Sequence, residues 1–262
     1  MKKFIPLAII ALMIVSACKK DNKKDNKNKN RSNYQIDTLA VSLHFDEKYQ
    51  FKLKQGSTDA AAGNATWTTS NNIVGEVNNN GLFTAKTIGL VTVKAATDVN
   101  TVESLVTIIP YTTLYTEPFF EANANIATTK GRETRTLEYE DATGLIYTGE
   151  NASIRSVIYL FEGNKMTSAS VLFANSPPVI NEAKLFLSER YAPKGENAGK
   201  TYFYDSKQTI IAFSQSEDIG YNAIYFKGSL DVAKDRHVKV IDLLHKSGLK
   251  DPGNKPYSIK LK

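Results

Sequence analysis

The chain has 262 residues, 42% hydrophobic and 23% charged, with one cysteine and a formal net charge of +6, enough for one large or two ordinary domains and too little sulfur for an internal disulfide framework. The positive charge is local: residues 18–32 hold six Lys and one Arg against two Asp, residues 1–17 add two Lys, and residues 33–262 together are close to neutral. The folded part thus lacks the basic surplus that DNA or RNA binding needs, and no nucleic-acid partner is expected.

Residues 1–17 place Lys2 and Lys3 before an apolar run from Phe4 to Val15, followed by the small residues Ser16 and Ala17. This order of n-region, h-region and cleavage site predicts a signal peptide, too short for a spanning helix. Val15-Ser16-Ala17-Cys18 resembles the lipobox of bacterial lipoproteins. The resemblance implies diacylation of the Cys18 thiol, cleavage before it and acylation of the new amino terminus. More than one acyl chain meets the requirement for stable anchoring, so the membrane is an expected partner, reached through lipid on Cys18. Residues 19–32, KKDNKKDNKNKNRS, contain no apolar residue and cannot offset the entropy of ordering, which makes residues 18–33 a disordered basic tether. Lys19-Lys20-Asp21 also resembles the charged signal that some Gram-negative lipoproteins carry for surface display, which implies an outer-membrane, cell-surface location.

Residues 34–110 change to strand periodicity. Leu39, Val41, Leu43 and Phe45 alternate, and Tyr49, Phe51 and Leu53 alternate again after the polar turn at 46–48, while residues 55–64 form a loop. Strands follow at 65–69 around Trp67, at 73–77, from Leu82, over Val91, Val93 and Ala95, and at 102–109. They are separated by Ser70-Asn71-Asn72, by Asn78-Asn79-Asn80-Gly81, where Asn and Gly accept positive φ, and by 98–100. Trp67, the single tryptophan, suits the space between two sheets. Trp67-Thr68-Thr69-Ser70-Asn71, then Val74 and Val77 before Asn80-Gly81-Leu82-Phe83-Thr84-Ala85, then Gly89-Leu90-Val91-Thr92-Val93-Lys94-Ala95, resemble the bacterial immunoglobulin-like group 2 (BIG2) domain over residues 36–110. The resemblance implies an all-β immunoglobulin-like sandwich of a kind found in adhesins and as plain spacers. Gly75 departs from it, standing where the family usually has Ala.

Residues 111–228 predict an α+β domain with an antiparallel sheet and two or three helices. A helix is expected at 118–130, with Phe119, Ala122, Ile126 and Thr129 on one face and Gly131 past its end. Hairpins follow at 135–139 with 145–147 and at 156–161 with 166–173, the latter joined by Glu162-Gly163-Asn164-Lys165. Pro177-Pro178 introduces a second helix at 179–191 with Ile180, Ala183, Leu187 and Tyr191 inward, and strands return at 201–204, 208–214 and 223–226. One helix followed by a strand meander, twice, is similar in layout to the duplicated units of β-lactamase inhibitor proteins and related small outer-membrane lipoproteins. In the basic segment 229–262, a helix at 231–247 with Ala233, Val240, Ile241 and Leu244 inside stops at Gly248, and 257–261 adds an edge strand.

The chain has no Gly-x-Ser-x-Gly elbow, Gly-x-x-x-x-Gly-Lys-Ser/Thr phosphate loop, dinucleotide glycine fingerprint or His-Glu-x-x-His motif. His44, His237 and His245 are widely separated, the carboxylates at 138, 140 and 141 and at 217 and 218 suit a solvated face, and neither a metal nor a cofactor is expected. No enzyme is predicted. The candidate ligand face is Tyr202, Tyr204, Tyr221 and Tyr225, with alternation placing Tyr202 and Tyr204 opposite Phe203; exposed tyrosines on a sheet stack on sugar rings or anchor protein partners. These features predict a non-catalytic, surface-anchored lipoprotein that binds or adheres to a glycan or protein ligand; the alternative is an inhibitor or assembly factor recognising another envelope protein.

Overall fold

The computed structural model describes residues 32–197, 199–205, 208–230 and 232–249. The signal peptide, Cys18, nearly all of the tether and the strand predicted at 257–261 lie outside the described residues. Among the described residues no helix is long and apolar enough to cross a membrane.

The first part is built from β1 (Tyr34–Ile36), β2 (Ala40–His44), β3 (Lys48–Gln50), β4 (Leu53–Gln55), β5 (Thr58–Ala60), β6 (Thr66–Thr69), β7 (Gly75–Val77), β8 (Leu82–Ala85), β9 (Gly89–Ala96) and β10 (Thr101–Ile109). They pair as β2-β10-β9-β6, β3-β8-β7 and β1-β4-β5, with β2 running parallel to β10. Period-two alternation sends Val91, Val93 and Ala95 of β9 and Val106 and Ile108 of β10 inward, against Phe83, Phe51 and Leu53. Trp67 is buried in this core, its indole N–H donating to the Ala62 carbonyl at 3.0 Å and its ring stacked at 6.2 Å from Phe51. Gly81 at φ +76° closes the Asn78–Gly81 turn, and a Cβ there would also lie 3.0 Å from the Trp67 ring, so turn and core both require glycine. The segment predicted as a loop at 55–64 contains β5, which extends the β1-β4 pair.

The second part holds one eight-stranded antiparallel sheet. Its elements are α1 (Ile126–Arg132), β11 (Leu137–Asp141), β12 (Gly144–Thr148), β13 (Ile154–Glu162), β14 (Lys165–Phe173), α2 (Pro177–Arg190), β15 (Ala192–Asn197), β16 (Lys200–Tyr204), β17 (Ile210–Ser216), β18 (Gly220–Phe226) and α3 (Val232–Ser247). The sheet order β11-β12-β13-β14-β18-β17-β16-β15 consists of two four-strand meanders, each preceded by a helix and joined where β14 pairs with β18 over Ser168–Phe226 to Leu172–Asn222. The β13–β14 turn has Gly163 and Asn164 at φ +55° and +60°, the backbone of a two-residue hairpin matched to strand twist.

Both sheet faces are covered. Tyr147, Tyr159, Val171, Phe213 and Tyr225 pack with Ile180, Ala183, Phe186 and Leu187 of α2. Ile146, Ile158, Leu160 and Leu172 pack on the other side with Val240, Leu243 and Leu244 of α3, where Ile241, predicted inside, is half-buried. The helix predicted at 118–130 is a correction: α1 begins at Ile126, capped by Asn125, whose side chain accepts the Thr128 N–H at 2.8 Å. Residues 118–124 are irregular, with Phe119 and Phe120 packed against the core.

Candidate functional site

Where β10 ends, the chain passes directly beneath the C-terminal turn of α2. Glu189 is completely buried there, and an unpartnered buried carboxylate is untenable. It accepts the Tyr111 N–H at 2.8 Å, the Thr112 N–H at 3.3 Å and an Arg190 guanidinium N–H at 2.5 Å. Arg190 also donates to the Thr112 carbonyl at 3.0 Å and lies 3.5 Å over the Phe186 ring. The Thr112 hydroxyl donates to Glu182 at 2.6 Å, and the Ile88 N–H, in the turn between β8 and β9, donates to the Glu189 carbonyl at 2.6 Å. His44 of β2 stacks on Tyr111 at 4.4 Å. The junction is thus fixed by main-chain and charged hydrogen bonds rather than by a free linker.

This fixed junction leaves a groove between the β7–β8 region and the β15–β16 edge of the large sheet. One cavity, of about 660 Å³, is lined from the sandwich by Phe45, Asp46, Asn72, Ile73 and residues 84–87, and from the second part by Ser188, Ala192, Pro193 and Tyr204. A second, of about 570 Å³, is lined by Ile73, Lys194, Tyr204, Asp205, Gln208, Ile210, Lys227 and Gly228. Ile73 and Tyr204 belong to both cavities, so the two form one groove with these side chains at its middle. Tyr204 and Ile73 are each 38% exposed.

The four candidate tyrosines do not share a face, which corrects the sequence expectation. Tyr202 is buried with Ile210, Ala212, Ile224, Phe226 and Ala233 of α3. Tyr225 is buried on the opposite face, its hydroxyl 2.6 Å from that of Tyr115, and Tyr221 stacks on Phe213 at 6.0 Å on that same side. Burial drives the Tyr225 and Tyr115 hydroxyls well above the usual phenol range, so both remain protonated hydrogen-bonding groups. Tyr202 and Tyr204 do lie opposite Phe203, as alternation requires, but only Tyr204 reaches solvent. The reason is that helices cover both faces of the sheet, so alternation separates two interiors instead of an inside from an outside.

Of the candidate carboxylates, Glu140 and Asp141 have structural work. Glu140 pairs with Lys130 at 2.6 Å, and Asp141 accepts the Thr143 N–H, the Thr143 hydroxyl and the Gly144 N–H at 2.6, 2.7 and 2.9 Å. A buried network went unrecognised in the sequence: Arg135 binds Glu133 and Glu150, each at 2.7 Å, and the Tyr159 hydroxyl donates to Glu133 at 2.5 Å. Among the described residues no group of three or more His, Cys, Asp or Glu side chains is placed to hold a metal ion. The groove residues Ile73, Pro193, Lys194 and Lys227 gave no sequence signal, because each is an ordinary surface residue until the fold gathers them.

No curated protein matches the chain. Residues 33–107 match the sequence model of the bacterial Ig-like domain (group 2) family, so the sandwich that forms one wall of the groove is similar to the domains of that family.

Proposed function

We propose that this is a non-catalytic, surface-anchored lipoprotein that acts in binding or adhesion, and that its ligand lies in the groove between the sandwich and the β15–β16 edge. The carrying observation is that Tyr204 and Ile73 line both of two adjoining cavities, beside a junction fixed by Glu189. Ligand sites are concave, mostly apolar and preformed, and they occur preferentially between domains. The similarity of residues 33–107 to bacterial Ig-like domains, a family often involved in adhesion or binding, supports the same reading. In this reading Cys18 carries the lipid that anchors the protein in the outer membrane.

The test has two arms. Screening on a glycan array and photo-crosslinking in isolated envelopes from a probe at position 73 find the ligand, and Tyr204→Ala with Ile73→Asp should abolish the interaction while leaving unfolding unchanged. Retention of full binding in that double variant removes the groove from the proposal. A single crosslinked envelope protein without any glycan hit favours the inhibitor or assembly-factor reading. Palmitate labelling is expected to disappear in Cys18→Ala; persistence overturns the anchor.

A further inference from the structure

The groove is chemically two-sided, and its asymmetry points to a ligand class. Resting on the groove being the binding site, we propose that its occupant is an acidic saccharide, with a sugar ring stacked on Tyr204 and the carboxylate held by Lys194 and Lys227. In the cavity toward the sandwich Phe45, Ile73, Ala85, Ala192 and Pro193 supply the apolar groups that meet the C–H face of a sugar ring, with Asp46 and Lys86 the charged residues of its lining. Beyond Tyr204 the lining turns polar, with Lys194, Lys227, Gln208 and Asp205.

The two lysines are placed by backbone features. β15 and β16 pair as Pro193 with Phe203 and Gly195 with Tyr202, so Lys194 is the extra residue of a bulge, and a bulge re-aims the side chain it releases. Tyr204, Ile210 and Phe226 form one row across β16, β17 and β18, and Lys227 follows Phe226 at the end of that row. Neither lysine has a carboxylate partner among the described residues, whereas Lys86 in the other cavity is bound to Glu76 at 2.5 Å. Asp205 is the one acidic group in the polar cavity, and its carboxylate accepts the Thr209 N–H at 2.8 Å. Two uncommitted ammonium groups facing one engaged carboxylate select an anion.

A peptide added as a further strand is disfavoured by the same edge. Pro193 lacks an N–H, and the bulge at Lys194 interrupts the register, two devices that blunt an edge strand against pairing. A ring that stacks and accepts point contacts needs no such ladder.

The experiment uses the purified chain from residue 19 on an array of uronate and sialate oligosaccharides printed beside their neutral counterparts, followed by calorimetry with the best acidic probe and its methyl ester. Methyl esterification keeps the rings and removes the charge. The expected result is an acidic hit whose affinity falls about tenfold or more on esterification and by a similar factor in Lys194→Gln/Lys227→Gln, and whose binding is lost in Tyr204→Ala. If no acidic saccharide binds above its neutral counterpart, or if the lysine variant binds like wild type, the inference is overturned while the groove reading stands wherever Tyr204→Ala still removes the ligand found. If Tyr204→Ala and the lysine variant both leave binding intact, the groove itself is wrong. Tyr204, Lys194 and Lys227 are exposed, and unchanged urea unfolding of each variant separates lost binding from lost fold.

Discussion

Gly75→Ala provides a test of the sandwich core in which the sign of the effect decides. Gly75 faces inward on β7, paired with Ala85, and a Cβ there would lie 2.7 Å from Phe83 Cε2, nearer still to Cζ, and 3.1 Å from the Thr84 carbonyl oxygen. Phe83 is fully buried and packs edge-on against Phe51 at 6.4 Å, so its ring has no room to swing aside. Gly75 is not among the residues with positive φ, so alanine fits its backbone. On backbone grounds alone the substitution would stabilise by about 0.4–1 kcal/mol, through lower entropy of the unfolded chain. Overpacking a tight core destabilises by about 1–3 kcal/mol, and with contacts this short it should win, leaving a net loss of about 1–2 kcal/mol. Urea unfolding followed by fluorescence of Trp67, which sits in the same core, gives the measurement. Gly75→Ala/Phe83→Leu should then be less destabilised than the sum of its single variants, because leucine vacates the space the methyl needs. A midpoint for Gly75→Ala at or above wild type, or strict additivity in the pair, would refute the packing argument.

At the junction, Glu189→Ala strands the Tyr111 and Thr112 N–H groups and the Arg190 guanidinium, a loss of about 3–5 kcal/mol, while Glu189→Gln keeps an acceptor and should lose less; protease cleavage near residues 110–113 distinguishes them. Gly149→Ala should destabilise the large sheet severely, since a Cβ would overlap the Ile154 carbonyl and lie 2.9 Å from Ile154 Cβ, which circular dichroism during thermal unfolding will show. His237, on α3, has its pKa held below the ordinary value near 6.5 by burial and by Lys200, partly opposed by Asp218. The unfolded chain therefore takes up a proton before the folded one, stability falls as pH drops below about 6.5, and His237→Gln should flatten that slope in urea titrations at stepped pH. Trp67→Ala, which removes a buried indole and its bond to Ala62, should lose about 3–5 kcal/mol by denaturant unfolding read by far-ultraviolet dichroism.

The sandwich was legible because its strands alternate cleanly and its turns carry Asn and Gly, as Val91, Val93 and Ala95 and the Asn78–Gly81 turn illustrate. Strands at sheet margins were not. β5 and β15 carry no strand signal: β15, reading APKGEN, is exposed along most of its length with Pro and Gly inside it, so no apolar period marks it. Phe119 and Ala122 fall at helical spacing with Ile126 and so extend the apparent helix, while the Asn125 cap sets its true start. Of the candidate face only Tyr204 lies in the groove, and the residues that meet it come from positions 73, 192–194 and 227. No local pattern announces a site assembled from such distances. Gly75, a departure from the resemblance at sequence level, is explained once Phe83 is seen to fill its missing side chain.

The seam between β14 and β18 bears on how such a chain is made. Until residues 220–226 emerge during synthesis, Ser168–Leu172 must wait with one side of their main chain unpaired, although the first meander is already complete. The second meander supplies the hydrogen-bonding partners that this edge of the first one lacks, so fragments divided in the loop at 174–176 should be insoluble singly and assemble when co-expressed.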